Sequence, residues 1–148
     1  MGIEDLIGDE TIVFDSSITS KEGLLKAAAE LFAARGDATD AQGLLDDFHK
    51  RELEVSTGVE DGFGIPHAKS PRVTTAALAF FHTSLMPDYV GLDDEPIECA
   101  FVIVCPENGA DVHLEVLSRL ARRLCDDEFR AELKAATTRE AVIKALAE

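Results

Sequence analysis

The run Gly64-Ile65-Pro66-His67-Ala68-Lys69 sets one imidazole directly behind a proline and a glycine-rich stretch. A histidine with an ordinary pKa near 6.5 offers a neutral nitrogen nucleophile at pH 7 and is able to form a covalent intermediate. Gly58, Gly62 and Gly64 precede it. Glycines let the backbone take positive φ and approach a ligand closely, and successive free N–H groups in such a loop form a nest for an anion. Pro66 restricts the approach and biases Ile65 toward an extended conformation. The implied chemistry is the carrying or binding of an anion. The plainer alternative is a turn with a surface histidine.

Two further residues suit the same anion. His113 falls near the start of a predicted helix, after the loop Pro106-Glu107-Asn108-Gly109, where free N–H groups and the helix dipole favour negative charge. Arg51 ends the preceding helical segment, and its guanidinium could fork onto a phosphate. Either could equally be structural, His113 as a solvated side chain and Arg51 as a complement to the helix dipole. Ser56 and Thr57 would add hydroxyl donors. Lys69 suits the surface, and His49 on the polar side of the second helix and His82 at the end of an apolar strand are less promising. A zinc site from His67, His113 and a carboxylate is conceivable, as in an anion-binding or hydrolase domain. No H-E-x-x-H or clustered Cys/His spacing accompanies it, so no metal or cofactor is expected. There is no phosphate-binding P-loop and no G-x-S-x-G elbow, so a nucleotide is not the expected phosphoryl donor.

These residues need a scaffold. Thr11–Phe14 reads as a strand. Thr19 and Glu22 form a capping-box pattern before a helix whose Leu24, Leu25, Ala28, Leu31 and Phe32 recur at helical spacing, and Gly36 is its stop. A second helix is predicted over about 41–52, with Leu44, Leu45, Phe48 and Leu53 as its apolar face. The stretch 55–66 is too rich in glycine for a helix. Thr74–Phe81 is β-like, and Pro87–Asp94 reads as an acidic turn. Ile97–Cys105 is apolar at nearly every position, the mark of a strand buried on both faces. Helical stripes follow through Val112, Val116, Leu117, Leu120 and Leu124, over 129–136, and after a second capping box at Thr137 and Glu140. The order strand-helix-helix-strand-strand-helix-helix-helix predicts an α/β fold: a three-layer α/β/α sandwich around a mixed β-sheet.

Size and charge bound the rest. The 148 residues suit one domain over 1–148. With 14 basic and 29 acidic residues the net charge is −15, which excludes a free nucleic-acid binder and docking on anionic membranes. The acids are dispersed along the chain, which fits adaptation to high salt, a halophilic trait, better than a docking patch. Cys99, Cys105 and Cys125 are odd in number with no paired spacing, and reduced thiols are expected. No signal-peptide pattern or membrane-length apolar run is present. The expected location is the cytoplasm, without membrane insertion.

The run Arg51-Glu52, Ser56-Thr57-Gly58-Val59 and Gly62-Phe63-Gly64-Ile65-Pro66-His67 resembles the active-site segment of IIA domains of the fructose/mannitol class. These belong to the phosphoenolpyruvate-dependent sugar phosphotransferase system. Pro106-Glu107, His113-Leu114, Leu117 and Leu120-Ala121 resemble the family's second histidine region, and the resemblance spans essentially the whole chain. It implies a phosphoryl carrier in which His67 is the phosphorylated histidine, His113 the auxiliary histidine and Arg51 the arginine beside them. Ser56, Thr57, Gly58, Gly62 and Gly64 would surround the phosphate. The implied partners are an HPr-like phosphocarrier as donor and an EIIB component of a sugar permease as acceptor, with fructose the leading sugar. Nitrogen-type IIA relatives share the site and act through regulatory protein contacts, which is the alternative. Two departures stand out. Gly64 replaces an alanine common in the family, a change expected to loosen the loop. Glu60 and Asp61 put carboxylates in the loop, where they would repel a phosphoryl group at low salt, so transfer is expected to quicken as salt rises.

Overall fold

The computed structural model describes residues 3–108 and 110–147, with the backbone alone for Glu4 and residues 110–113. Two short 3-10 turns, Ile3–Asp5 and Asp9–Thr11, lead into β1 (Ile12–Asp15), α1 (Lys21–Arg35) and α2 (Ala41–Glu54). Four strands follow: β2 (Phe63–Gly64), β3 (His67–Ser70), β4 (Ala77–Val90) and β5 (Pro96–Pro106). The chain closes with α3 (Ala110–Arg123), α4 (Asp127–Ala135) and α5 (Arg139–Ala147). No helix among the described residues is long and apolar enough to cross a membrane.

The sheet is mixed. β1 runs parallel to β4, β4 antiparallel to β5, and both β2 and β3 parallel to β5 along its other edge. Two-sided burial of β5 is the reason for the layers. Ala100, Val102 and Val104 pack with α1 and α2 through Leu24, Phe32, Leu44 and Phe48. Phe101, Ile103 and Cys105 pack with Val116, Leu120, Leu133 and Val142 of α3, α4 and α5. Each large apolar side chain so buried contributes about 1.5–3 kcal/mol. Phe80 and Phe101, register partners on β4 and β5, also meet with tilted rings, centroids 5.0 Å apart. This is the α/β sandwich expected from the sequence.

Local signals fared unevenly. Gly36 ends α1 in the left-handed conformation (φ 87°), its N–H returning to Ala33 and Phe32 carbonyls. The cap of α1 is Ser20, not Thr19: its hydroxyl accepts from the Gly23 amide at 3.0 Å. Likewise Thr138, not Thr137, accepts from the Ala141 amide at 3.2 Å before α5. Leu53 is 87% exposed, against the apolar face expected for it. The helical successor of Phe48 is Glu52 four residues on. Glu52 takes the inner position and is held by Lys21 at 2.5 Å. β4 continues to Val90 through the region expected to be an acidic turn. Register shifts on either side of Met86 accommodate Pro87 and still bury Met86 and Tyr89.

Candidate functional site

The C-terminal end of α2 meets the first residue of β3. His67 pairs with Ile103 on β5, whose amide donates to the Pro66 carbonyl at 2.9 Å. The strand register therefore fixes the backbone on which the imidazole stands. His67 Nδ1 lies 2.7 Å from the Ile65 carbonyl oxygen. A carbonyl only accepts, so Nδ1 carries the proton and Nε2 keeps its lone pair. Arg51 Nε donates to that Nε2 at 3.2 Å, while Arg51 Nη1 donates to the Val55 carbonyl at 2.8 Å, just past the end of α2. The two bonds hold the guanidinium against the nucleophilic nitrogen.

Burial holds the His67 pKa below its ordinary value. The Ile65 carbonyl opposes this, Arg51 adds to it, and Glu52 and Glu54 oppose it more weakly. The imidazole is therefore neutral at pH 7 and available as a nucleophile. The unfolded chain binds the proton more readily, so stability from neutral His67 is complete above about pH 6.5 and is lost as pH falls through its lower folded value. In an NMR titration the His67 ring should show a midpoint below that of an unstructured histidine. A midpoint above it would contradict the burial argument.

The cleft at this point measures about 350 Å³ and is lined by Asp47, Lys50, Arg51, Glu54, His67 and Lys69, with Ala68 beneath. Asp47 is engaged elsewhere, accepting from Ser70 Oγ and, at 3.0 Å, from Arg72 Nη1. Arg51 touches the imidazole, and Lys50 and Lys69 line the same cleft beside one further carboxylate, Glu54, a lining that can take a phosphoryl group. Lys50 was not singled out by sequence and Lys69 was read as surface. The available signal was spacing: Lys69 is two residues after His67, on the same side of a strand, and Lys50 adjoins Arg51.

The glycine-rich loop sits behind the cleft instead of lining it. The Thr57 hydroxyl meets the Tyr89 hydroxyl at 2.5 Å, and the Gly58 amide donates to Ser56 Oγ at 3.3 Å. Gly62 (φ 82°) forms a turn beside Lys134 and Glu98, and its carbonyl accepts from the Glu98 and Cys99 amides. Gly64 is buried in β2, and a Cβ there would meet the Tyr89 hydroxyl at 2.5 Å. The space that alanine would fill is taken by Tyr89, so Gly64 tightens the packing and does not loosen the loop. Ser56, Thr57, Gly58, Gly62 and Gly64, expected around the phosphate, are not among the residues that line this cleft.

Glu60 and Asp61 also lie away from the cleft. Asp61 accepts from Arg130 Nε at 2.9 Å and Lys134 Nζ at 2.6 Å, and Glu60 stands 3.7 Å from Arg130. Lys134, with Arg130, holds the Asp61 carboxyl below the usual carboxylate range. Their expected repulsion of a phosphoryl group has no basis in this geometry, and the salt acceleration argued from it falls away. The His113 side chain lies outside the described residues. His49 bonds Glu22 at 2.6 Å on the surface.

Residues 5–148 match the family model described as "Phosphoenolpyruvate-dependent sugar phosphotransferase system, EIIA 2". The chain belongs to this family. EIIA domains of this system are phosphotransferase components. Among similar proteins is the fructose-specific EIIA component of Haloferax volcanii, 34% identical over 139 residues, covering 94% of this chain and 90% of that one. The crystal structure of nitrogen regulatory protein IIA-Ntr from Neisseria meningitidis superimposes with a TM-score of 0.90 at 30% identity, covering 97% and 98% of the two chains. The Escherichia coli mannitol enzyme IIA, solved in complex with phosphorylated enzyme IIB, shares the fold with a TM-score of 0.80 at 19% identity, covering 95% and 96%.

Proposed function

We propose that this EIIA domain carries a phosphoryl group on Nε2 of His67, receiving it from an HPr-like phosphocarrier and passing it to an EIIB component for sugar uptake, with fructose the leading sugar. The observation that carries this reading is the bonding of one ring: Nδ1–H to the Ile65 carbonyl, and the Nε2 lone pair facing Arg51 in a cleft that Lys50 and Lys69 also line. In the transfer, Nε2 attacks phosphorus and forms the new N–P bond as the donor's N–P bond breaks. The donor imidazole leaves with that electron pair. The His67 ring gains positive charge, which strengthens its Nδ1–H bond to Ile65. Arg51 gives up Nε2 and turns its donors to the phosphoryl oxygens, with Lys50 and Lys69 nearby. Such transfer asks for positioning and charge stabilisation more than covalent work from the protein. His113 serves as the auxiliary histidine, the role that the family resemblance implies for it. The compartment is the cytoplasm, where both partner components would be met.

Uptake is favoured by the Haloferax volcanii relative, named fructose-specific. The Neisseria meningitidis structure, named a nitrogen regulatory protein, supports the regulatory alternative. Mixing the phosphorylated chain with a fructose EIIB component separates the two. For uptake, the label moves to EIIB within seconds. Label that stays on this chain while the same EIIB accepts from a known fructose EIIA would favour regulation.

A further inference from the structure

A second group of chemically capable side chains lies along β5, away from the cleft. His82 of β4 and Cys99 of β5 are partners in the antiparallel register, so their side chains share one face of the sheet. The register slips just beyond them: Thr83, Ser84 and Leu85 separate His82 from Met86, whereas Glu98 alone separates Cys99 from Ile97. Irregularities of this kind re-aim side chains. Here the amides of Glu98 and Cys99 both donate to the Gly62 carbonyl, at 2.9 and 3.0 Å, where a regular strand would turn successive amides opposite ways. The outcome is that one ligand atom from each of His82, Glu98 and Cys99 lies within 4.8 Å of the other two. His82 Nε2 is 3.6 Å from Glu98 Oε1.

We propose that His82, Glu98 and Cys99 form a binding site for a divalent cation of the zinc type, with water completing the coordination. Thiolate, imidazole and carboxylate are the ligands such a borderline-soft cation prefers, and three protein ligands leave a fourth position open. The charges balance, since thiolate and carboxylate together neutralise the dication. As the sulfur–metal bond forms, the Cys99 proton leaves to solvent, and the imidazole binds through an existing lone pair. Metal–ligand bonds of about 2.0–2.3 Å require the cluster to close by roughly 1 Å. His82 and Glu98, with side chains 21% and 28% exposed, have the freedom to do so and give access from solvent. Phe14 and Phe80 flank the imidazole, with ring centroids 6.3 and 6.5 Å away. Lys134 is nearby but paired with Asp61 at 2.6 Å. Cys99 stands four residues before Ile103, the partner of His67, which is about 13 Å along the strand. The site is therefore separate from the phosphoryl cleft, and a bound cation would clamp β4 to β5.

Titrating the reduced, metal-free chain with Co²⁺ as the probe tests this. The expected result is one equivalent bound, a thiolate-to-cobalt charge-transfer band, displacement by one equivalent of Zn²⁺, and a higher melting temperature with zinc. Cys99→Ser should abolish the band, and Cys125→Ser should keep it. His82→Gln and Glu98→Gln, at partly exposed positions that leave the core intact, should each weaken cobalt binding at least tenfold, and they decide the matter if Cys99→Ser fails to fold. Absence of the band at millimolar cobalt overturns the proposal, as does its loss in Cys125→Ser or unchanged affinity in His82→Gln and Glu98→Gln.

Discussion

Arg51→Ala is expected to slow phosphoryl acceptance by about 10²–10³-fold, the usual consequence of removing one preorganised donor from developing charge. Arg51 lies 3.2 Å from His67 Nε2, the proposed nucleophile, and its Nη1 bond to Val55 keeps the fork from drifting away. Lysine is not an equivalent replacement, because it lacks the planar fork that spans two oxygens. Arg51→Lys should therefore recover only part of the rate. Rapid-quench measurement of labelled chain against time reads this directly. Folding should change little, since the lost bond to Val55 is worth about 1 kcal/mol. Wild-type rates in Arg51→Ala would return this arginine to a purely structural part at the end of α2.

Gly58→Ala should destabilise the fold by about 3 kcal/mol, the upper range for forcing an extra group into a packed site. A Cβ at Gly58 would stand 2.2 Å from the Val90 carbonyl oxygen and 2.9 Å from the Gly91 Cα, both backbone, so no side-chain rotation relieves the contact. Gly43 makes the contrast: its nearest obstacles are the Arg72 and Asp40 side chains, which can rotate aside at the cost of the Arg72 bond to Asp47. Urea denaturation of the two alanine variants should show a large loss for Gly58 and a small one for Gly43. Equal losses would mean that the 55–59 segment yields where its packing says it cannot.

These two residues also mark what the sequence made legible. Arg51 and His67 are 16 positions apart; the chemistry of each suits an anion, and the motif resemblance assigns both to one site. The register of β3 on β5 and the end of α2 are what bring them into contact. β5 was legible because burial on both faces leaves an unbroken apolar run. β3 was not, because four residues, two of them His and Lys, follow a proline and carry no apolar alternation. The glycines were visible as glycines, but their purpose was not. Gly58 and Gly64 serve close approach by Val90 and Tyr89, which lie more than twenty residues away in sequence. Leu53 misled because hydrophobicity alone placed it inside, while the helix period and the Lys21–Glu52 pair put Glu52 there. Asp61 looked like a threat to phosphate because its partners, Arg130 and Lys134, come from α4 at the far end of the chain.

The central claim is that His67 carries the phosphoryl group. Intact-mass measurement after incubation with a phosphorylated HPr-like carrier tests it most directly. The wild-type chain should gain one acid-labile phosphoryl group, and His67→Ala should gain none while keeping its fold. A phosphoryl group that persists in His67→Ala would contradict the claim.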